Sequence, residues 1–444
     1  MTEPVSTSPI YQRPVELLQN LIRFDTTNPP GNEAECITYV NSLLTEAGIE
    51  TTLLARDPNR PNLIARLKGQ GNAPPLLLQG HVDVVTTTGQ AWTRPPFEGV
   101  IADGCVWGRG SIDMKGPVAM MLASFLRAKA EALPLSGDVV LAVLSDEEGG
   151  SDYGARYLVE NHSDLFNGIR YALGEFGGVR FYLGRNKLYP IMVAEKQLCW
   201  MRTHVQGPGG HGSIPMRGGT MAKLARLLQQ LDRRRLPVHI TPSVRSMIEG
   251  MASVLPFPQS LVLRQLLRPR LTDTVLRLLG AKGQGLEPLF HNTVNATIVR
   301  GGEKVNVIPS DIALELDGRL LPGFKPDDMI AELHRIVGSD IDFEVIRHDP
   351  GPPEPDMGLF PTLAGILREA DPGAATFPMF DPGISDARFF SRIGIQTYGF
   401  TPMNLPHGLD LLQRVHAADE RIPLECLDFG TNAIYKTLQL YWKS

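Results

Sequence analysis

Apolar residues recur at helical spacing over residues 15–24 and 33–47, and short apolar runs at 62–67 and 76–79 then predict strands. The stretch 117–132 (PVAMMLASFLRAKAEA) is apolar on most faces and opens with Pro117 behind Gly116, which predicts a buried helix. Residues 139–144 (VVLAVL) form a continuous apolar run, the pattern of a strand covered on both faces. This alternation predicts an α/β domain around a largely parallel sheet. In such a sheet ligands gather beyond the carboxyl ends of the strands.

From about residue 196 the rhythm changes. Strand patterns at 197–205, 293–299, 311–319 and 341–347 enclose helical ones at 220–231 and 326–337. The order β-α-β-β-α-β is that of a ferredoxin-like α+β unit. Residues 236–291 stand outside it, with helical periodicity at 244–251, 261–267 and 271–279, and read as an insertion. The run GPPEP at 351–355 marks a linker, after which 357–369 looks helical and 393–400 is an apolar strand able to rejoin the first sheet. The predicted layout is a discontinuous domain, 1–195 with 351–444, interrupted by a second domain at 196–350.

Composition narrows the function classes. With 444 residues, 43% hydrophobic and 20% charged, the chain has material for two globular cores. A net charge of −5 with both signs dispersed gives no footprint for nucleic acid or an anionic membrane. The first sixteen residues lack a basic segment followed by an apolar run, no apolar stretch reaches membrane-spanning length, and the four cysteines show no CxxC spacing. A cytoplasmic location with no membrane or nucleic-acid partner is expected.

Candidate chemistry clusters just after the apolar runs. His81 and Asp83 follow one of them, two residues apart on extended backbone and hence on one side. Asp83 can accept the imidazole's second N–H and fix its direction. Asp113 sits between glycine-flanked segments, GRGSI before it and MKG after it, either as a helix cap or as a carboxylate bridging two cations. Glu147 and Glu148 are adjacent carboxylates at a strand end, whose repulsion a metal relieves if one ligates and the other holds a water. Glu175 in LGEFGG and His416 in VHAADE complete the series. Each alone reads equally as a turn, cap or surface residue. GxSxG, GxGxxG and the P-loop spacing are absent, which counts against serine-hydrolase, dinucleotide and phosphate-loop chemistry.

Taken in order, GHVDVV (80–85), GRGSIDMKG (108–116), SDEEGG (145–150), GE (174–175) and VHAADE (415–420) resemble the motifs of the M20 metallopeptidase family, which includes carboxypeptidase G2, aminoacylase-1, acetylornithine deacetylase and succinyl-diaminopimelate desuccinylase. The resemblance implies a zinc-peptidase-like α/β/α catalytic domain interrupted by a ferredoxin-like lid and dimerisation domain. It implies two zinc ions per subunit, for which cobalt can substitute, with His81, Asp113 and Glu175 on one and Asp113, Glu148 and His416 on the other. Glu147 would be the general base of a hydroxide attack on an amide, with Asp83 orienting His81. In the second domain GPGGHGS (207–213) resembles the segment whose histidine, here His211, serves the partner subunit's site in a homodimer. Asn306, Arg319, Gly383 and Ser385 match substrate-binding positions. The chain departs from the pattern in having Phe176, not proline, after Glu175, and in offering His407 as a rival to His416. The expected substrate is a small N-acyl amino acid or peptide with a free carboxylate, and the alternative is an inactive metal- or peptide-binding member. The insertion loosely resembles that of the longer, carboxypeptidase S-like members.

Overall fold

A computed structural model describes residues 8–442 except 410, and for 412 the backbone alone. The first seven residues, part of the stretch read as lacking a leader, lie outside the described residues. The chain divides into two compact units, one of residues 1–193, 356–379 and 385–444, the other of 194–355 and 380–384.

The first unit is built on a nine-stranded sheet. Its path runs Thr51–Leu54, Asn62–Leu67, Val139–Leu144, Leu76–His81, Tyr171–Gly174, Gln396–Gly399, Asn186–Glu195 and Ala375–Asp381, with Phe181–Leu183 paired to Asn186–Glu195 off that path. Four adjacent strands at the centre are mutually parallel: Val139–Leu144, Leu76–His81, Tyr171–Gly174 and Gln396–Gly399. The flanking pairings are antiparallel. Every residue of the first three central strands is buried, as the unbroken apolar run of Val139–Leu144 requires, and with them the polar Gln79 and His81. Alternate side chains face opposite layers: Val140, Ala142 and Leu144 join Leu77, Leu158, Phe389 and Phe390 in one core. The opposite layer is led by helix Lys115–Ala130, which packs on Leu76–His81 and on helices Pro14–Ile22 and Leu424–Leu440. Thirteen of its sixteen residues are buried, which explains its apolar surface all round.

Two features were not foreseen. Asn186–Glu195 contains Pro190, which argues against a strand in sequence, yet the strand forms and Pro190 O accepts from Gly178 N at 2.6 Å. A separate three-stranded sheet joins Val100–Ala102, Cys105–Trp107 and Arg421–Pro423, three-residue strands too short to show a period. Residues 393–395, read as the start of a strand, instead end helix Ala387–Arg392 through a turn at Gly394 (φ +83°).

The second unit holds a four-stranded antiparallel sheet in the order Thr293–Arg300, Asp311–Leu320, Gln197–Gln206, Glu344–Asp349. Asp311–Leu320 alternates buried and less buried positions along its length, the signature of a half-covered sheet. Helices Thr220–Arg233 and Pro326–Val337 contribute Leu224, Leu227, Met329 and Leu333 to its core. Between the first helix and the second strand come four more helices, Pro242–Ser253, Gln259–Gln265, Pro269–Leu278 and Ala281–Leu286.

Candidate metal centre

Parallel pairing decides the site. Val139–Leu144, Leu76–His81 and Tyr171–Gly174 lie side by side and point the same way, so the residues after them emerge at one edge. His81 stands opposite Leu144 in register, and Glu147 and Glu148 follow a short turn later. Glu175 follows directly on Gly174 from the other side of the central strand. Glycines let the backbone crowd here: a Cβ on Gly177 would fall 2.1 Å from the carbonyl oxygen of Gly399.

Asp113 and His416 arrive by a different route. Arg421 pairs with Trp107 and Gly108 N donates to Glu420 O at 3.0 Å, which sets the loop 108–114 against the C-terminal motif. Glu420 is fully buried and accepts from Arg109 at 2.6 Å and from the backbone N–H groups of Gly110, Ile112 and Asp113 at 3.2, 2.7 and 3.1 Å. Arg109 also donates to Gln90 at 2.8 Å, and Gln90 donates to His416 O at 2.8 Å. One buried carboxylate and one guanidinium thus hold both segments. His416 adopts a left-handed backbone (φ +62°), a strained choice for a non-glycine residue that recurs at functional sites.

The side chains converge on Asp113. Its Oδ1 lies 3.3 Å from His81 Nε2 and its Oδ2 lies 3.2 Å from His416 Nε2. Glu175 Oε2 is 3.6 Å from His81 Nε2, and Glu148 Oε1 is 3.3 Å from His416 Nε2. Two ligand groups result, His81–Asp113–Glu175 and Asp113–Glu148–His416, with the donor atoms of each within 4.8 Å of one another. His81 Nδ1 faces the backbone oxygen of Asp83 at 3.0 Å. A carbonyl only accepts, so Nδ1 carries a hydrogen, and Nε2 is the nitrogen that would ligate a cation in the cluster. His81 Nε2, Glu148 Oε1 and Glu175 Oε1 are buried without a hydrogen-bond partner, as donors awaiting a cation would be. The nitrogen-and-carboxylate set fits a divalent metal of zinc type.

Electrostatics agree. Burial pushes Glu175 up to about 7 and raises Glu148, while Glu147 is driven well up by burial and by the charge of Glu175. Burial raises Asp113 too, but the adjacent His416 and His81 outweigh it and hold the carboxyl below its usual range. His416 is lifted to about 10 by Asp113 and Glu148. Carboxylates that resist ionisation beside histidines that hold protons describe a cluster short of positive charge.

Asp83 does more than face His81. Its carboxylate lies 3.4 Å from His81 Nδ1, but it accepts from Glu147 N and Glu148 N at 3.1 Å each and from Asn28 at 2.8 Å. It therefore holds the turn carrying Glu147 and Glu148, while its backbone oxygen and its carboxylate both face His81 Nδ1. Asn28 also reaches Asp146, which pairs with buried Arg60 at 3.0 Å, and Arg60 pairs with Glu33 at 2.8 Å. Glu147 is partly exposed, and among the described residues none donates to its carboxylate. Asp386 is a carboxylate the sequence reading passed over: it is buried, pushed up to about 6 by that burial, and takes a 2.5 Å hydrogen bond from Ser151. It lies in the same loop as Gly383 and Ser385, which the resemblance marks as substrate-binding positions, but nothing in its spacing singles it out. His407 packs edge-on against Tyr182 and belongs to neither ligand group.

The remaining candidates sit as follows. In the second unit His211 and Asn306 share a small ribbon, with Gly212 N donating to Asn306 O at 2.8 Å; His211 is exposed and its Nδ1 meets Ser213 Oγ at 2.7 Å. Arg319 directs Nε and one terminal nitrogen to Asp317 at 2.7 and 3.0 Å, so a substrate carboxylate would have to compete with Asp317. A Cβ on Gly383 would lie 3.0 Å from Asp381 Oδ2. Ser385 is buried and its hydroxyl accepts from Ala387 N at 3.2 Å, which turns it inward.

Comparisons with known proteins agree with this geometry. The model of peptidase family M20/M25/M40 matches residues 77–440. The chain is similar to the probable carboxypeptidase S-like 2 of Dictyostelium discoideum, 27% identical over 386 residues that cover 82% of this chain and 72% of that one. It is 25% identical over 387 residues to the N-fatty-acyl-amino acid synthase/hydrolase PM20D1 of Homo sapiens, covering 83% and 75%. In fold it is similar to the M20 family metallo-carboxypeptidase Sso-CP2 of Sulfolobus solfataricus, with a TM-score of 0.66, 16% identity and coverage of 96% and 99%.

Proposed function

The chain belongs to peptidase family M20/M25/M40 and is a hydrolase acting on C–N bonds, and from that premise we propose that it cleaves the amide of an N-acyl amino acid or peptide bearing a free carboxylate, using two zinc ions and Glu147 as general base. One observation carries the reading: Asp113 presents one oxygen to His81 and the other to His416, each beside a further glutamate. A carboxylate so placed could serve a cation on either side.

His81, Asp113 and Glu175 would hold one metal, and Asp113, Glu148 and His416 the other. When bound, the metals supply Lewis-acid charge at the scissile carbonyl and make a water more acidic. Glu147, untethered and with its proton affinity raised, takes the proton of the attacking water and passes it to the leaving amine. Asp83 and Asn28 keep that glutamate's backbone in place. His211, exposed with its ring direction set by Ser213, is proposed as a donor to the developing oxyanion in a homodimer, and Asn306 and Arg319 as groups that bind substrate.

Metal analysis should give two ions per chain. Glu147→Gln should keep both and lose roughly three orders of magnitude in turnover; an unchanged rate would remove Glu147 from the base role. A panel of N-acyl amino acids against dipeptides, with zinc or cobalt added, tests the substrate class. Two bound metals without turnover on any member would favour an inactive binding protein instead. Mixing His211→Ala with Glu147→Ala protein should restore activity if subunits share sites, and no recovery would argue against it.

A further inference from the structure

A small apolar notch lies beside the ligand cluster, within the first unit. Asp113 and Glu175 form part of its wall, and the rest is lined chiefly by Ile112, Met114, Val179 and Met403, with Phe176 and Leu411 toward its mouth. The four inner residues are buried, whereas Phe176 and Leu411 are partly exposed. The space open to a water-sized sphere is about 20 Å³, enough for one small group. Thr401 also lines it but directs its hydroxyl to Gly177 O at 3.1 Å. Apart from Asp113, Glu175 and Thr401, every side chain lining the notch is apolar. Such a lining favours alkyl surface.

We propose that this notch is the subsite for a short unbranched alkyl group on the acyl side of the scissile amide. The inference rests on the reading of the cluster as the reacting centre. The carbonyl carbon must lie against the ligand cluster, and the acyl chain is bonded directly to that carbon. A chain leaving the cluster on the side of Asp113 and Glu175 meets this notch first. Its size selects the length: one or two methylenes fill it as it stands. Two of its walls are methionines, whose unbranched thioethers adapt to small changes in shape. The preferred substrates are therefore amides of short alkyl acids rather than of charged or bulky branched ones.

Carboxylic acids mimic the acyl product and allow a test without turnover. Calorimetry on the zinc-loaded protein with acetate, propanoate, butanoate and hexanoate should show binding tighten about fourfold per methylene at first, then level off. Leu411→Ala, which opens the mouth, should carry the gain on to hexanoate; Leu411→Trp should remove it. Leu411 is no ligand, so metal content should stay at the wild-type value in both variants, and thermal unfolding checks that each is folded. Binding that is absent, flat or weaker from acetate to butanoate in the wild type, or profiles that coincide in all three proteins, would overturn the proposal. If the profiles appear as expected but no amide in the panel is cleaved, the notch stands and it is the hydrolytic reading that fails.

Discussion

Asp113 is held from outside as much as it holds from within. Glu420 accepts the N–H of Asp113 and of the two residues that shape its loop, Gly110 and Ile112, and Arg109 completes the charge pair. Removing the negative charge leaves a buried guanidinium without its partner and several N–H groups underserved, each a cost of kcal/mol scale. Glu420→Gln is therefore expected to weaken metal binding by about 10- to 100-fold, read by competitive chelator titration, although Glu420 is no ligand. Unaltered affinity would mean that the loop holds its shape without this contact. Glu147 stands at the opposite extreme, with no tether and a free carboxylate, as a group that must move a proton has to be.

At the level of elements, the site depends on backbones that approach closer than side chains allow. Gly177 faces Gly399 O at 2.1 Å and Met192 N at 2.8 Å from where its Cβ would be, and it lies two residues from Glu175. Gly177→Ala should destabilise the protein by about 1–3 kcal/mol or more and loosen the metal ligated through Glu175. Denaturant unfolding with and without metal checks both; an alanine tolerated on both counts would show that this approach has slack. The same elements show what sequence patterns can and cannot carry. The run 139–144 was readable because a strand buried on both faces must be continuously apolar, and the short run 76–79 because its leucines mark a strand that the structure extends to His81. Asn186–Glu195 was not, because its Pro190 breaks the local rule and the strand is held by pairing remote in sequence. The three-residue strands Cys105–Trp107 and Arg421–Pro423 have no period to detect, although their pairing brings Asp113 to His416.

For the molecule as a whole, the metals are expected to be part of its stability. Without them Glu175, with a folded value of about 7 against 4.5, binds more protons folded than unfolded between those values. His416, at about 10 against 6.5, does the same over its own range. Where the folded state binds more protons, stability falls as pH rises. Chelator-treated protein should thus lose stability from about pH 4.5 upward through 7 and on toward 10, while metal-loaded protein, its carboxylates neutralised, should show a shallower fall and a higher Tm. Parallel slopes in the two forms would show that the cluster does not govern the pH response.

The sequence alone determined the candidate residue types, the order of the motifs and the strand ends from which three of them emerge, because those depend on local burial and spacing. It could not determine which oxygen of Asp113 meets which histidine, that Asp83 holds the turn of Glu147 and Glu148, that Asp386 adds a buried acid, or that Arg319 is engaged by Asp317. All but the last follow from contacts between segments far apart in the chain, as Arg109 meets Glu420, and the last from the register that sets Arg319 and Asp317 on one face of a strand. Only the folded backbone sets their distances.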